Sequence, residues 1–199
     1  MTLFTQISNL KDSRILNTDT TRKRHACDIC IKNKGNRHTE KEVVKDLLFS
    51  LSNTRDAYAI AANQRGFDFP IFVVKFDLDK ASMLPFAHDM ISVDTDTLSI
   101  ALKVSPSVFK DPSIELVEGT REYASRESCL SSEGMEYTTK RYYQIRLHAK
   151  MLDIEAFRRN KNNLAWKSVI LPLSGLASQI VQHEVDHLHG MGPWSFNFL

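Results

Sequence analysis

The sequence lacks features that mark several classes of protein. No apolar run approaches the roughly 20 residues that a membrane-spanning helix needs, and the N-terminus has no apolar core of a signal peptide. The 199 residues include only 3 cysteines, too few for a framework of disulfides. The net charge is +2, too small to indicate nucleic acid as the main partner. These absences predict a cytoplasmic protein with no membrane or DNA partner.

What the chain does contain fits one domain with an N-terminal extension. Hydrophobic residues make up 42% and charged residues 25% of the total, as in ordinary globular proteins. We assign residues 1–38 to a basic, irregular segment and residues 39–199 to a single domain. The basic residues between Arg22 and Arg37 predict solvated surface, and contact with a polyanion such as ribosomal RNA is the alternative.

Cys27 and Cys30 form a Cys-x-x-Cys pair within the basic segment. A structural zinc site needs a second ligand pair, and only Cys129 and scattered histidines remain. A redox site of the thioredoxin type would place the pair where a strand leads into a helix, and the flanking residues lack that pattern. We therefore predict that neither cysteine takes part in metal binding or catalysis.

The order of the predicted elements indicates the fold class. Thr39 and Glu42 have the capping-box pattern for a helix over residues 39–52, and an uninterrupted apolar periodicity predicts another over residues 176–189. Strands before a single late helix indicate an α+β fold of mostly antiparallel strands, packed around a buried helix. The strands are predicted at residues 70–76, 90–93, 98–104, 114–117 and 142–152.

Three stretches between these elements are predicted to be irregular. Ser105-Pro106 and Asp111-Pro112 are typical of a connection, because proline cannot donate a backbone hydrogen bond. Residues 126–132 are polar and resemble a turn. Residues 155–167 are also polar and indicate an insertion or a long loop.

His183 and His187 lie four residues apart in the late helix, so both side chains project from one face. Leu176 and Ile180 continue the same stripe toward the start of the helix. Two imidazoles at this spacing can bind one metal ion, and Glu184 between them can handle the protons of a metal-bound water. A carboxylate is rarely buried without a partner, and a metal site provides one. The pattern predicts an active site on this helix.

A catalytic metal needs a third protein ligand and one position left for water. Neither a glutamate nor a third histidine follows at the spacing of the extended protease pattern. Cys129, in its polar stretch, is the best remaining candidate. A zinc peptidase that shares only the helix motif stays open as an alternative, and it would need a third ligand other than Cys129.

Three segments resemble, in order, the signature motifs of peptide deformylases, which remove the formyl group from the N-terminal formyl-methionine of new polypeptides. The segments are Ala57–Gln64 (AYAIAANQ), Glu127–Ser131 (ESCLS) and Gln182–Leu188 (QHEVDHL). Three motifs in order are far more specific than any one alone. The resemblance spans roughly residues 40–190 and identifies residues 39–199 as a deformylase-like catalytic domain.

The resemblance implies a metal site and a proton carrier. Cys129, His183 and His187 would bind one divalent metal ion, which is iron(II) in the cell and zinc(II) or nickel(II) in a purified sample. Water activated by that metal would attack the formyl carbon, with Glu184 as general base and then general acid. The products would be formate and a free amino terminus.

The resemblance also implies how the substrate is held. The Gln64 side-chain amide and the Leu130 backbone N–H would stabilise the oxyanion. The backbone around Ala59 and Ile60 would pair with the substrate like an extra strand, and Leu176 and Ile180 would wall the methionine pocket. The full set of expected substrate-binding residues is Ala59, Ile60, Glu127, Ser128, Leu176 and Ile180.

The sequence departs from the family pattern at a few positions. Ala57, Ala59 and Ser128 stand where the family usually has glycine, so they add side-chain atoms where peptide backbone approaches closely. Glu136 stands where many members have an arginine near the substrate, whereas Arg141 matches a family arginine. None of these changes removes a metal ligand or the general base, so we expect activity.

The resemblance is to a short deformylase, either phage-like or a divergent bacterial form, without the C-terminal helix of the common bacterial form. Its expected partners are N-formylmethionyl nascent peptides and, transiently, the ribosome. Its expected location is the cytoplasm, that of the host for a phage-encoded protein. The second alternative is a non-catalytic deformylase-like protein that binds a peptide or a ribosomal surface.

The first prediction concerns the two N-terminal cysteines. Replacing both Cys27 and Cys30 with serine should leave metal content and formate release unchanged, because no second ligand pair accompanies them. The measurement is metal per chain beside release of formate from a formyl-Met peptide. Loss of one bound metal ion in the double variant would contradict the assignment.

Overall fold

The computed structural model describes residues 38–54, 57–75, 78, 82, 106–132, 135–160 and 164–196. The basic segment as far as residue 37, including Cys27 and Cys30, lies outside the described residues. So do the strands predicted at 90–93 and 98–104.

Seven strands form two antiparallel sheets in the described part of the chain. One sheet has five strands in the order β1-β2-β3-β6-β7, and the other is the β4–β5 hairpin. The strands are β1 (Ala59–Ala61), β2 (Ile71–Val74), β3 (Ser107–Leu116), β4 (Glu122–Ser128), β5 (Glu136–Tyr142), β6 (Gln144–Leu152) and β7 (Trp166–Ser174).

Three α-helices and three short 3-10 turns have their bounds within the described ranges. The helices are α1 (Glu40–Asn53), α2 (Ile154–Arg159) and α3 (Gly175–Leu188), and the turns are Ala62–Arg65, Leu130–Ser132 and Pro193–Phe196. None of the helices in the described ranges is long and apolar enough to cross a membrane. The predicted fold class is confirmed: mostly antiparallel strands surround one late, buried helix.

The late helix α3 contacts both sheets and presents a different side to each. Its apolar residues pack in one core cluster with Phe72, Phe109 and Leu147 of the five-stranded sheet. Leu176 and Ile180 belong to this cluster and lie in the same helical stripe as His183, at the border of the two sides. Its polar side meets the hairpin through side-chain hydrogen bonds. The Gln182 carboxamide donates to the main-chain oxygen of Tyr142 at 2.8 Å and accepts from the nitrogen of the same residue at 3.0 Å.

The helix α1 belongs to a second core cluster, which includes residues of β1, β2 and β3. Val43, Leu47 and Leu51 are buried there with Ile71 and Val73, among others. The predicted capping box is confirmed: the Thr39 hydroxyl accepts from Glu42 N–H at 3.3 Å, and the Glu42 carboxylate accepts from Thr39 N–H at 2.7 Å. The helix boundary is therefore set by local side chains as well as by the core.

The prediction of a connection at Asp111-Pro112 is wrong, because both residues lie inside β3. The pairing of β3 with β6 shifts register between Lys110 and Ser113, and Asp111 has a φ of 52°. A bulge of this kind takes a proline out of the hydrogen-bond ladder without ending the strand. The strand predicted at residues 114–117 is thus the second half of a longer one.

Two further stretches are more regular than the sequence indicated. Part of the loop predicted at residues 155–167 is the helix α2, whose N-cap Asp153 accepts from the N–H of Ala156, and β7 begins at Trp166. The turn predicted at residues 126–132 is strand as far as Ser128. Its polar residues alternate between a buried and an exposed face of the hairpin, which hides the apolar signal of a strand.

The capping box gives a stability prediction. Thr39→Ala should lower the free energy of unfolding by about 1 kcal/mol, because it removes a side-chain acceptor from the first turn of α1. Urea denaturation at fixed metal content measures this change. Lys45→Ala, at an exposed position of the same helix, is the matched control. An equal loss in both variants would show that the cap contributes nothing specific.

Candidate metal centre and active site

Three predicted ligands converge at the polar side of α3. The Cys129 Sγ lies 3.2 Å from His187 Nε2, which lies 3.1 Å from His183 Nε2. One ligand atom from each residue falls within 4.8 Å of the other two, and Cys129 and His187 are buried. One sulfur and two imidazole nitrogens suit zinc, iron, cobalt or nickel by ligand type. The residues present therefore fit a single divalent metal ion.

Local structure brings the cysteine to the two histidines. Cys129 directly follows the last residue of β4 and faces inward, whereas its neighbour Ser128 is exposed. The N–H of Ser131 points at the Cys129 sulfur across 3.4 Å, and the Gln64 amide nitrogen lies 3.7 Å from the same atom. Both donors are therefore directed at the sulfur that would bind the metal.

The orientation of His183 is fixed by Glu127. The Glu127 Oε2 lies 2.8 Å from His183 Nδ1, and because an ionised carboxylate can only accept, Nδ1 carries the proton. Nε2 is left to face Cys129. The sequence predicted that Glu127 binds the substrate, but the structure gives its carboxylate His183 and Arg141 as partners.

Arg141 completes this arrangement from the neighbouring strand. Its guanidinium donates to both oxygens of Glu127, at 2.7 and 2.8 Å, and also to the carboxylate of Asp186 on α3. Burial alone would raise the pKa of the Glu127 carboxyl, but the Arg141 charge and the hydrogen bonds hold that pKa well below its usual range. A buried charge of either sign is therefore paired with its opposite.

The two histidines differ in their affinity for protons. Burial lowers the pKa of His187 well below its ordinary value, so this imidazole is neutral near neutral pH and able to bind a metal. Burial acts in the same direction on His183, but hydrogen bonds to Cys129 and Glu127 raise its pKa to about 10. A proton and a metal ion thus compete for this second ring.

Glu184 is buried beside the ligand cluster. Its Oε2 atom has no hydrogen-bond partner among the described residues, and burial raises the pKa of Glu184 to about 7. A buried carboxylate oxygen without a partner is unfavourable unless something polar binds there. This atom is a second observation, beside the donor set, that indicates a polar ligand at the centre.

Gln64 is held with its amide N–H groups toward the site. Its Oε1 accepts from Ala61 N–H at 2.8 Å, which directs Nε2 to Ser131 Oγ at 3.2 Å and toward the cysteine sulfur. The preceding residue, Asn63, donates from its side chain to the main-chain oxygen of His187. The Ala62–Arg65 turn is therefore attached to the last part of α3.

Among the described strands, β1 is the edge strand of the five-stranded sheet and lies beside this turn. The Tyr58 carbonyl accepts from Lys75 N–H, and Ala61 N–H bonds Gln64 instead of β2. Backbone groups alternate in direction along a strand, so those of Ile60 point to β2 and those of Ala59 to the free edge. Of the two residues predicted to pair with a substrate, Ala59 has backbone groups directed outward.

The remaining predicted residues lie around the same place. Leu130 follows Cys129 with its side chain exposed, and Ser128 is exposed at the end of β4, opposite Glu136 of β5. Leu176 and Ile180 are buried on α3, one and two turns before His183. The structure therefore places all the predicted site residues at the junction of β1, the hairpin and α3.

Sequence reasoning did not assign a role to three residues of the site. Arg141 was noted only for its family match, and neither Asp186 nor Asn63 was singled out. A signal for Asp186 was present, since it lies three residues after His183 and so near it on the helix. No local pattern connects Asn63 with an oxygen 124 positions later.

Comparison with known proteins gives the same family through a family model and through individual relatives. A family model described as polypeptide deformylase matches residues 15–193. A peptide deformylase of Dictyoglomus thermophilum is 38% identical over 87 residues, which are 44% of this chain and 48% of that protein. Peptide deformylase 3 of Shewanella oneidensis is 24% identical over 147 residues, 74% of this chain and 68% of the relative. The chain spans about half the length of the first of these relatives.

Solved structures share the fold. A peptide deformylase from Legionella pneumophila superposes with a TM-score of 0.54 at 20% identity, covering 79% of this chain and 71% of that one. A class I type b peptide deformylase from Acinetobacter baumannii, with Met-Ala-Ser bound, has a TM-score of 0.54 at 19% identity and covers 78% and 79%. A probable peptide deformylase from Synechococcus phage S-SSM7 has a TM-score of 0.53 at 20% identity and covers 80% and 86%.

The Glu127–His183 contact gives a prediction on metal affinity. Glu127→Gln should weaken metal binding about 10–100-fold, because groups that orient a ligating histidine have effects of that order. Competition with a chelator of known affinity measures the dissociation constant. Glu122→Gln, at an exposed position of the same strand, should leave it unchanged. Equal metal affinity in the parent and Glu127→Gln would rule out an orienting role.

Proposed function

Because the chain belongs to the polypeptide deformylase family, we propose that it hydrolyses the formyl group from N-terminal formyl-methionine of peptides and releases formate. The observation that carries this proposal is the convergence of Cys129, His183 and His187 beside Glu184. A zinc peptidase sharing only the helix motif would use a third ligand other than Cys129, so that alternative has no support. Residues 39–199 act as the catalytic domain.

Cys129, His183 and His187 hold the metal ion. When bound there, the ion acts as a Lewis acid that lowers the pKa of a water molecule and makes a nucleophile available near neutral pH. The family resemblance favours iron(II) in the cell, with zinc(II) or nickel(II) in a purified sample, and the ligand types suit each of these ions. Glu127 and Arg141 keep His183 in the orientation that binding requires.

Glu184 moves the protons of the reaction. Its Oε2 accepts a proton from the attacking water, whose oxygen forms a bond to the formyl carbon. The bond between that carbon and the amide nitrogen then breaks, and Glu184 returns the proton to the departing amine. One water is consumed, and formate and a free amino terminus are the products. The absence of a protein partner for Oε2 in the described structure supports this role.

Gln64 and Leu130 stabilise the negative charge that develops on the formyl oxygen. The Gln64 Nε2 group is held in advance by the bond between its Oε1 and Ala61 N–H, so little reorganisation is needed. The Leu130 backbone N–H is the second donor. Preorganised donors of this kind are worth roughly 3–4 kcal/mol each in comparable sites.

The substrate peptide pairs with the free edge of β1 through the backbone of Ala59. Its first side chain enters between α3 and the hairpin, where Leu176 and Ile180 supply apolar surface. Ser128 borders the path on the other side. Support comes from the Acinetobacter baumannii relative, a structure with Met-Ala-Ser bound.

The biological substrates are formyl-methionyl nascent peptides in the cytoplasm. Access to them involves transient contact with the ribosome, for which the basic residues between Arg22 and Arg37 are the candidate surface. The charges of this segment are of the sign that ribosomal RNA attracts.

Three variants test the assigned roles. Glu184→Gln should keep the metal and lose on the order of 10²–10⁴ in rate, because a general base is removed but no ligand is. Gln64→Ala should slow turnover roughly 10²–10³-fold and also keep the metal. His187→Ala should lose the metal. The measurement is metal content beside formate release from a formyl-Met dipeptide. Parent activity in fully loaded Glu184→Gln would make the mechanism untenable.

A further inference from the structure

A strip of buried polar side chains lies between the hairpin and α3, beside the metal centre. It consists of Ser125, Thr139 and Gln179. Ser125 and Thr139 are fully buried, and Gln179 is 5% exposed. Nothing in the proposed mechanism uses these three residues, although the interior of a domain is where unused polar groups are least expected.

The position of the strip follows from strand and helix periodicity. Ser125 lies two residues before Glu127 on β4, and Thr139 lies two residues before Arg141 on β5, so they share the inward face of the hairpin. Ser125 and Thr139 are directly opposite each other in the register. The strip therefore continues, away from the metal ligands, the face that orients His183.

Gln179 closes the strip from the helix side. It lies four residues before His183, one turn closer to the start of α3. Its Nε2 atom lies 3.4 Å from the main-chain oxygen of Arg126, the residue after Ser125. The carboxamide is thus adjacent to β4. Leu176 and Ile180, the apolar residues expected to contact the first side chain of the substrate, flank Gln179 on the same helix.

The two hydroxyl groups lack partners within the described structure. Neither Ser125 Oγ nor Thr139 Oγ1 makes a hydrogen bond to any described residue, and both atoms are inaccessible to solvent. A buried hydroxyl without a partner is unfavourable, and most native proteins avoid it. Two such groups facing each other across a hairpin indicate a ligand that supplies hydrogen-bond acceptors there.

We propose that this strip binds the first side chain of the substrate and accepts one that is as long as methionine and carries an acceptor oxygen. Methionine sulfoxide and glutamine are the side chains of that chemistry. The Ser125 and Thr139 hydroxyls donate to the oxygen, while Leu176 and Ile180 contact the methylene groups. The inference rests on the proposed function, because it concerns the residue whose formyl group is removed.

The test compares four formyl tripeptides, X-Ala-Ser, in which X is methionine, norleucine, methionine sulfoxide or glutamine. Norleucine has the shape of methionine without a polar atom, so it reports apolar contact alone. In the parent protein kcat/KM for the sulfoxide or the glutamine peptide should equal or exceed that for the norleucine peptide. A norleucine peptide preferred tenfold or more over both would overturn the proposal.

Variants then assign the effect to the strip. Ser125→Ala and Thr139→Val should each lower the ratio of kcat/KM between the acceptor-bearing and norleucine peptides on the order of tenfold, the effect of one lost hydrogen bond. Thr138→Val, at the exposed neighbouring position, is the matched control and should leave the ratio unchanged. Because both peptides are measured on one preparation, the ratio does not depend on the fraction of folded protein.

A binding measurement separates this inference from the proposed function. Calorimetry with the unformylated tripeptides measures affinity without turnover. The acceptor-bearing peptides should bind at least as tightly as the norleucine peptide, and Ser125→Ala should lower that ratio of affinities. If no peptide releases formate but the acceptor-bearing peptides bind more tightly than the norleucine peptide, the proposed reaction fails and the strip stands. If formate is released but Ser125→Ala and Thr139→Val change neither the ratio of kcat/KM nor the ratio of affinities, the hydroxyls bind only a structural water and the inference is wrong.

Discussion

The ion pair between Arg141 and Glu127 is the interaction on which the centre depends. Both groups are buried, and the guanidinium bonds both carboxylate oxygens as well as Asp186 on α3. Removing one member would leave a buried charge without its counterion, which is strongly destabilising. The pair also sets the proton on His183 and hence the nitrogen that faces the metal site. The same ion pair therefore contributes both to the packing of the hairpin on α3 and to the geometry of the ligand set.

One side of α3 stabilises the domain, and the other carries residues of the metal centre. The apolar side packs against the five-stranded sheet, where burial of large side chains stabilises the domain. The other side meets the hairpin through polar contacts made by Gln182, His183 and Asp186. Because hydrogen bonds are directional and apolar contacts are not, the polar side fixes angles that a core alone would leave loose.

The sequence revealed those parts of the site that depend on local spacing. Helical periodicity brings His183 and His187 to one face, and the capping box locates the start of α1. Cys129 was the best remaining candidate for a third ligand, and the family resemblance placed both it and Gln64 beside the histidines, since no spacing rule connects positions 65 residues apart. That resemblance also led us to list Glu127 with the substrate contacts, and it gave no sign that the Glu127 carboxylate bonds Arg141 and His183. Contacts between residues so far apart in the sequence cannot be predicted from local spacing.

The brevity of β1 has a consequence for turnover. With three residues, and with Ala61 N–H already bonded to Gln64, the edge leaves one residue, Ala59, to form a ladder with an incoming chain. For the proposed peptide substrate, so few backbone bonds would contribute little affinity and little dependence on the bound sequence. Under that proposed function, a product held through so few bonds would leave quickly, and many different polypeptides could be processed in succession. The same short edge offers little template for other strands, which protects the sheet from self-association.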